Sequence, residues 1–411
     1  MDRLKPGTRA GEGINKWLLL ALCSSANFLV YFHRVTPAVM VNELMAEFGG
    51  SAAIIGLLSS AYFYTYTLSQ IPVGFLSVRT SPRYLIGLGI VLAGFSSAAF
   101  GMSENLTAAI IFRALTGLGV SAVLVPSYKI LGVAFGERFM TANGILMASG
   151  AFGALGATSP LVLIMQEFGW RAAFYIIAAV SMLVGLLCIC LIKAPWETGG
   201  SRAASGFDFR TFAKLLPVAL VPGVIAFFKY GPLVSYQGLW GVPFLMDVYD
   251  MAKLGASQLI LLISLSMIAA GLSMSFITGS LGLGPKKLAI AMASLFAACW
   301  IPLLLPASGL AKALLYVSAA LMGGSDIVVL VLMNNAVRTT TDVSVRGTVL
   351  GMINSITLAG GALYQPMMGL FVNGTPVGYT RAFSLGFAGA SFAAFLVYRY
   401  MNSKPHETPK A

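Results

Sequence analysis

The sequence predicts an all-α membrane protein of twelve transmembrane helices, arranged as two six-helix pseudo-symmetric halves. Three observations lead there. The 411 residues are 58% hydrophobic and 10% charged, against about 45–50% and 25% for a soluble globular chain. Apolar runs of about 18 residues or more, long enough to cross a bilayer, recur along nearly the whole length. The second half also echoes the first. ELMAEF at 43–48 precedes GGSAAIIGLLSS as FLMDVYD at 244–250 precedes AKLGASQLILLIS, each an acid at a helix exit followed by a small-residue re-entry. ERFMTANGILMASGAFGALG at 137–156 is echoed by VRGTVLGMINSITLAGGALY at 345–364. Paired six-helix repeats are a transporter architecture, with the substrate site between the halves near the midplane.

At about 20 residues per span, the helices fall at 17–41, 52–77, 83–102, 105–130, 139–166 and 171–192 in the first half. In the second they fall at 216–246, 254–279, 286–306, 311–335, 346–373 and 379–400. A tail at 1–16 precedes them, a Gly- and Ser-containing charged linker at 193–215 joins the halves, and a tail at 401–411 follows. The basic tail and apolar run at the start resemble a signal peptide, but the run outlasts an h-region and no cleavage site is convincing, so an uncleaved first helix is expected.

Most of the 26 lysines and arginines lie in segments that a cytoplasmic N-terminus places inside, among them Arg79, Arg83, Arg138, Lys193, Lys286 and Arg346. Both termini are therefore expected in the cytoplasm. The same distribution accounts for the net charge of +12 as topology, with no nucleic-acid partner. Cys23, Cys188, Cys190 and Cys299 all sit in apolar runs and read as small buried hydrophobes, not as disulfides or metal ligands. No metal or cofactor is expected, and no GxxxxGK[ST] points to ATP hydrolysis. The sequons at Asn105 and Asn373 carry no weight in this setting.

Charges inside the apolar runs are the candidates for function, since each costs about 2.5–3.5 kcal/mol on insertion scales. Arg34 stands about 25 Å along its helix and Lys229 about 20 Å along its own, at about 1.5 Å per residue. A guanidinium grips a carboxylate or phosphate with two donors, and an ammonium adds a point charge. For Arg34 the alternative is a stem that snorkels to the outer interface. For Lys229 it is a lipid-facing aromatic belt made by Phe227, Phe228 and Tyr230. Arg113 is either a coupling and gating residue or a helix-pairing one. Asp326 is the acid placed deepest in a span, either a proton carrier or the salt-bridge partner of Arg113 on the symmetry-related helix. His33 is a further titratable group. Tyr62 and Tyr66, one turn apart, are candidates to orient a substrate, as are Tyr236, Gln237 and Trp240, and Asn334. Hydrogen bonding between helices is the plainer role for each. The Gly-rich faces of the fifth and eleventh helices suit close packing between helices that rock.

Several stretches are similar to the major facilitator superfamily over essentially the whole chain. GFLSVRTSPR at 74–83 resembles that family's cytoplasmic loop signature, Gly-x-Leu-x-Asp-Arg-x-Gly-Arg-Arg, with Val78 in place of Asp and Ser81 in place of Gly. Arg79 and Arg83 match it. FRALTGLG at 112–119 resembles the fourth-helix motif, with Arg113 as its charge, and GWRAAF at 169–174 a familiar start of the sixth helix. GSLGLGPKK at 279–287 is a degenerate second-half loop, and the fifth-helix Gly-Pro motif is half present, with Pro160 displaced. A basic residue in each of helices 1 and 7 is similar to the organophosphate and organic-anion branches, where such a pair holds the anionic group. The resemblance implies a secondary transporter in a bacterial inner membrane, working as a monomer by alternating access. It would carry a small organic anion with protons, Arg34 and Lys229 holding the anion and Asp326, Arg113, Arg79 and Arg83 carrying or gating the proton. Efflux of drugs or secreted metabolites such as siderophores is the second expectation, suited by 19 methionines. A membrane receptor on the same fold is a third. No nucleophile–base pair suggests an enzyme.

Overall fold

The computed structural model describes residues 15–192, 209–274, 284–341 and 343–403. The 193–208 part of the expected linker, and residues 1–14 and 404–411 of the two tails, lie outside the described residues.

Span 1 runs Lys16–Val39, its last turn tightened at Thr36–Val39 where Pro37 ends the α-helix. Asn15 caps its start by accepting from the Trp17 amide. A short helix, Val41–Phe48, then turns by 112° into span 2, Ala52–Arg79. The turn is made by Gly49, whose φ of +60° closes the short helix. Span 3 is Pro82–Gly101, and span 4 is Leu106–Ser121 continued by Leu124–Phe135. Span 5 begins as Phe139–Gly156 and runs into the helix Ser159–Leu191, which breaks at Gly169 (φ 79°, ψ 162°); the part beyond is span 6. Span 7 is Phe209–Ser235, a π turn at Tyr236–Trp240, and Gly241–Tyr249. Its helix starts seven residues before the sequence places it. Spans 8 and 9 are Lys253–Leu272 and Pro285–Ala298, the latter extended by Ile301–Leu304. Spans 10, 11 and 12 are Gly309–Thr340, Val343–Gly369 and Pro376–Ser403.

Among the described residues, nine helices are long and apolar enough to cross a membrane, or ten with the bent pair counted as one span. The break at Gly169 supplies one more. Span 11, which carries Asn354, Ser355, Thr357 and Gln365 along its length, completes twelve. The large apolar side chains left exposed, such as Leu183, Phe95 and Leu272, are the surface that hydrocarbon covers.

The internal repeat reappears as matched backbone contacts. A methyl group on Gly153 of span 5 would stand 2.0 Å from the Phe28 carbonyl oxygen of span 1. One on Gly360 of span 11 would stand 2.6 Å from the Phe227 carbonyl of span 7. Likewise a methyl group on Gly117 of span 4 would stand 2.2 Å from the Tyr62 carbonyl oxygen of span 2, and one on Gly323 of span 10 would stand 2.0 Å from the Ile263 carbonyl oxygen of span 8. The same helix pairs touch backbone to backbone in each half, where only glycine fits.

The halves meet in the middle and at the end remote from the termini. There Gly56 of span 2 packs on the Gln365 carbonyl of span 11, Ser60 Oγ donates to Gln365 Oε1 at 3.4 Å, and Ser159 and Ser257 hydroxyls meet at 3.1 Å. Lys253 also donates to Glu43, joining span 8 to the short helix. A half-exposed pair of this kind contributes about 0.2–1 kcal/mol. Lys253→Glu should therefore open this end several-fold more often. The check is maleimide labelling of a cysteine at Ser257, in a background without the four native cysteines. Unchanged labelling would show that the pair does not hold the end shut.

Candidate functional site

Arg34 is buried, 6% exposed, at the junction of the two halves. Its position places it there: it lies in the last α-helical turn of span 1, just before the Pro37 tightening, and points across to span 7. Its Nη1 donates to the Tyr230 hydroxyl at 3.0 Å. The guanidinium carbon lies 4.4 Å from the Tyr31 ring, 5.6 Å from Tyr66 and 5.9 Å from Phe63. Cation–π contact with such rings is worth about 0.5–2 kcal/mol each, which does not replace a counter-charge. Among the described residues no carboxylate lies within ion-pair distance of Arg34, and its Nε has no partner. The snorkelling alternative does not match this placement.

Tyr62 and Tyr66 share the face expected of them. Their rings stack at 6.0 Å, Tyr66 against Arg34, and Tyr62 donates to the Val30 carbonyl at 2.9 Å. Tyr31, Phe63 and Tyr230 belong to the same nest. Tyr31 was legible one turn before Arg34; Tyr230, from the other half, was not.

Lys229 does not face Arg34 freely. Its Nζ lies 2.5 Å from Asp326 Oδ1 and 2.7 Å from the Asp326 backbone carbonyl, with both side chains nearly sealed from solvent. The Arg113–Asp326 pair, one of the two alternatives for Asp326, does not form. The repeat explains both results. Arg113 lies one turn before Gly117, while Asp326 lies about one turn after Gly323, so the two stand about 10 Å apart in depth. Lys229 likewise sits closer to its Phe227 contact than Arg34 does to Phe28, about one turn or 6 Å nearer the termini. The two cations are therefore not at matched depth.

Arg113 is wholly buried. Its Nη1 donates to the His33 carbonyl at 3.1 Å, its guanidinium lies 5.3 Å from the Tyr62 ring, and Nε and Nη2 have no partner. His33 pins three spans together, its Nε2 3.0 Å from Ser181 Oγ and its Nδ1 3.2 Å from Ser97 Oγ. Among the described residues no carboxylate pairs with Arg113 either. The core of the first half thus holds two uncompensated cations, and that of the second a compensated pair.

Tyr236, Gln237 and Trp240 do not form one face, because the π turn adds a residue and splays them. Tyr236 packs into an aromatic cluster with Trp300 and Phe383, Gln237 donates to Ser264 Oγ at 2.8 Å, and Trp240 Nε1 donates to the Gln365 carbonyl at 3.0 Å. They tie span 7 to its neighbours. Asn334 lines a cavity of about 10 Å³ beside Lys229. A larger one of about 330 Å³ lies away from the cations, between spans 1, 5 and 6, lined by Ser24, Ser25, Phe28, Ser149 and Phe152. At the termini end, Arg83 donates to Tyr84 at 2.9 Å; the Arg79 side chain lies outside what is described. No group of His, Cys, Asp and Glu able to hold a metal occurs among the described residues.

A family model described as Major Facilitator Superfamily matches residues 23–366. The chain is similar to probable anion transporter 1, chloroplastic, of Oryza sativa subsp. japonica, with 28% identity over 172 residues, 40% of this chain and 32% of that protein. It is also similar to the D-galactonate transporter of Escherichia coli O6:H1, with 26% identity over 202 residues, 48% of this chain and 46% of that one. The chain thus matches less than half the length of either relative. Among solved structures it resembles a bacterial homolog of the human lysosomal transporter Spinster, in an inward-facing and occupied conformation. The TM-score is 0.76 over 96% of this chain and 98% of that one, at 16% identity, a likeness of fold.

Proposed function

The chain belongs to the Major Facilitator Superfamily, and from that premise we propose that it is a secondary active transporter of a small organic anion, a carboxylate or phosphate ester, coupled to protons. The observation that carries the reading is Arg34, a guanidinium buried where the halves meet, with a free Nε and, among the described residues, no carboxylate beside it. A buried charge without a counter-ion costs several kcal/mol. An arriving carboxylate or phosphate offsets that cost and gains two-point hydrogen bonding. The names of two relatives, an anion transporter and a D-galactonate transporter, favour the same class.

In this reading Arg34 holds the anion within the Tyr31, Tyr66 and Tyr230 nest. Lys229 is a second cation, Asp326 and Arg113 carry or gate the proton, and Arg79 and Arg83 belong to a gate at the termini end. The protein sits as a monomer in a bacterial inner membrane with both termini cytoplasmic, following the basic inner segments. The sealed end is then the outer one, and the halves rock about the site.

Efflux of drugs or secreted metabolites is the second reading, favoured by the largely apolar 330 Å³ groove between spans 1, 5 and 6. A thermal-shift screen separates the two. D-Galactonate, other sugar acids, phosphate esters and cationic drugs are tested on the purified protein and on Arg34→Gln. An anion should stabilise the wild type, and Arg34→Gln should weaken its binding about 10–100-fold, the value of a charge-assisted hydrogen bond. Stabilisation by cations or neutral compounds, equal in both proteins, would put efflux first.

A further inference from the structure

We infer that the Asp326 carboxylate occupies the place of the transported anion on Lys229, so that a proton on Asp326 releases the ammonium to the anion held by Arg34. The inference rests on the reading of Arg34 as the anion site and makes proton carrier and second anion ligand a single device.

Geometry supplies the argument. Two of the three N–H groups of Lys229 are taken by one residue, through Asp326 Oδ1 at 2.5 Å and its backbone carbonyl at 2.7 Å. While Asp326 is ionised, Lys229 has no full charge to offer a ligand. The next residue, Tyr230, is the one whose hydroxyl touches Arg34. The same Tyr230 hydroxyl feels the charge of Asp326, so the Lys229–Asp326 pair lies within electrostatic range of the Arg34 nest, and Lys229 has a four-carbon stem that can swing when its partner is neutralised.

Beside the pair there is a space the size of a water. The 10 Å³ cavity beside Lys229 is lined by Asn334, Ala226, Met333 and Ile353, all on the termini side of the pair. It has room for about one water. Nothing else on the neighbouring spans competes for the role. Span 7 presents Lys229 and Tyr230 to Asp326, the only other titratable residue in span 8 is Lys253 at its far end, and span 9 carries Cys299 and, at its start, Lys286 and Lys287. Span 11 carries Tyr364 and, near its start, Arg346. The Phe296 ring lies 5.9 Å from Lys229 Nζ.

The charges balance. A proton adds to the Asp326 carboxylate, the Lys229–Asp326 ion pair opens, and the anion takes the vacated ammonium, so proton and anion enter as a neutral sum. Because the carboxylate and the anion compete for one cation, each ligand must favour the other to the same degree.

The test measures protons taken up on anion binding, by calorimetry in two buffers of different ionisation enthalpy near neutral pH. The probe is D-galactonate or, failing it, the tightest anion of the screen above. The wild type should take up about one proton per anion. Asp326→Asn should take up none, and bind the anion about tenfold more tightly because Lys229 is always free. Should that variant not fold, Lys229→Gln with Asp326→Asn removes both charges and should bind through Arg34 alone, again without a proton. Anion binding by the wild type without proton uptake overturns the inference and leaves the anion reading standing. Proton uptake that persists in either variant also overturns it, and points to His33. No binding of any anion overturns both.

Discussion

Lys229→Met alone will destabilise the protein by about 3–5 kcal/mol, and adding Asp326→Leu will restore most of the loss. The single change leaves a carboxylate 2% exposed in the bilayer core with no cation, and breaking a buried pair from one side costs that order. Removing both charges replaces the pair with apolar contacts, which is near neutral or stabilising. Melting followed by size-exclusion chromatography checks it. A second signature follows from the chemistry. Lowering the pH neutralises the orphaned carboxyl, so Lys229→Met should recover stability in acid while the double variant is indifferent. Equal melting of the single variant and the wild type would mean that the pair is not formed in the folded protein.

Gly153→Val and Gly323→Val should each abolish accumulation of folded protein, a loss on the order of 3 kcal/mol or more. A Cβ at either site would stand 2.0 Å from a carbonyl oxygen of the facing helix. The obstacle is backbone, so no side chain can give way; spans 1 and 5, or 8 and 10, must separate. The controls are Gly144→Val and Gly271→Val, on spans 5 and 8, where a Cβ meets nothing within 4 Å. Those should express as the wild type does. If all four behave alike, helix propensity and not close approach sets the outcome.

The spans were legible because length and apolarity are imposed by the bilayer, whatever the tertiary fold. Their irregularities were not. The sequence puts a four-residue loop between helices 5 and 6, and the break does fall there, but it is made by one residue, Gly169, with helix on either side. The π turn at Tyr236–Trp240 has no marker in the sequence, and it undid an inference that assumed 3.6 residues per turn. The buried charges were legible as exceptions to composition. Their pairing was not, because the pseudo-twofold relates helices and not depths along them. Symmetry alone therefore offers Arg113 as a partner for Asp326, whereas the step of one turn in each half delivers it to Lys229. Tyr230 reaches Arg34 from the opposite half, a contact that no local spacing reveals.

Two guanidiniums held in the core with no carboxylate paired to them among the described residues are also fixed charges in whatever voltage falls across the membrane. That voltage acts with about 2.3 kcal/mol per charge per 100 mV over the full thickness. A rocking motion that carries Arg34 and Arg113 through even a tenth of the field shifts the balance of states by about 0.2 kcal/mol for each. An anion that arrives on Arg34 with a proton on Asp326 frees the Lys229 charge as it cancels another, so the loaded core carries the same net charge as the empty one. The membrane potential therefore pulls on the loaded and the empty protein alike, and the two strokes feel it equally.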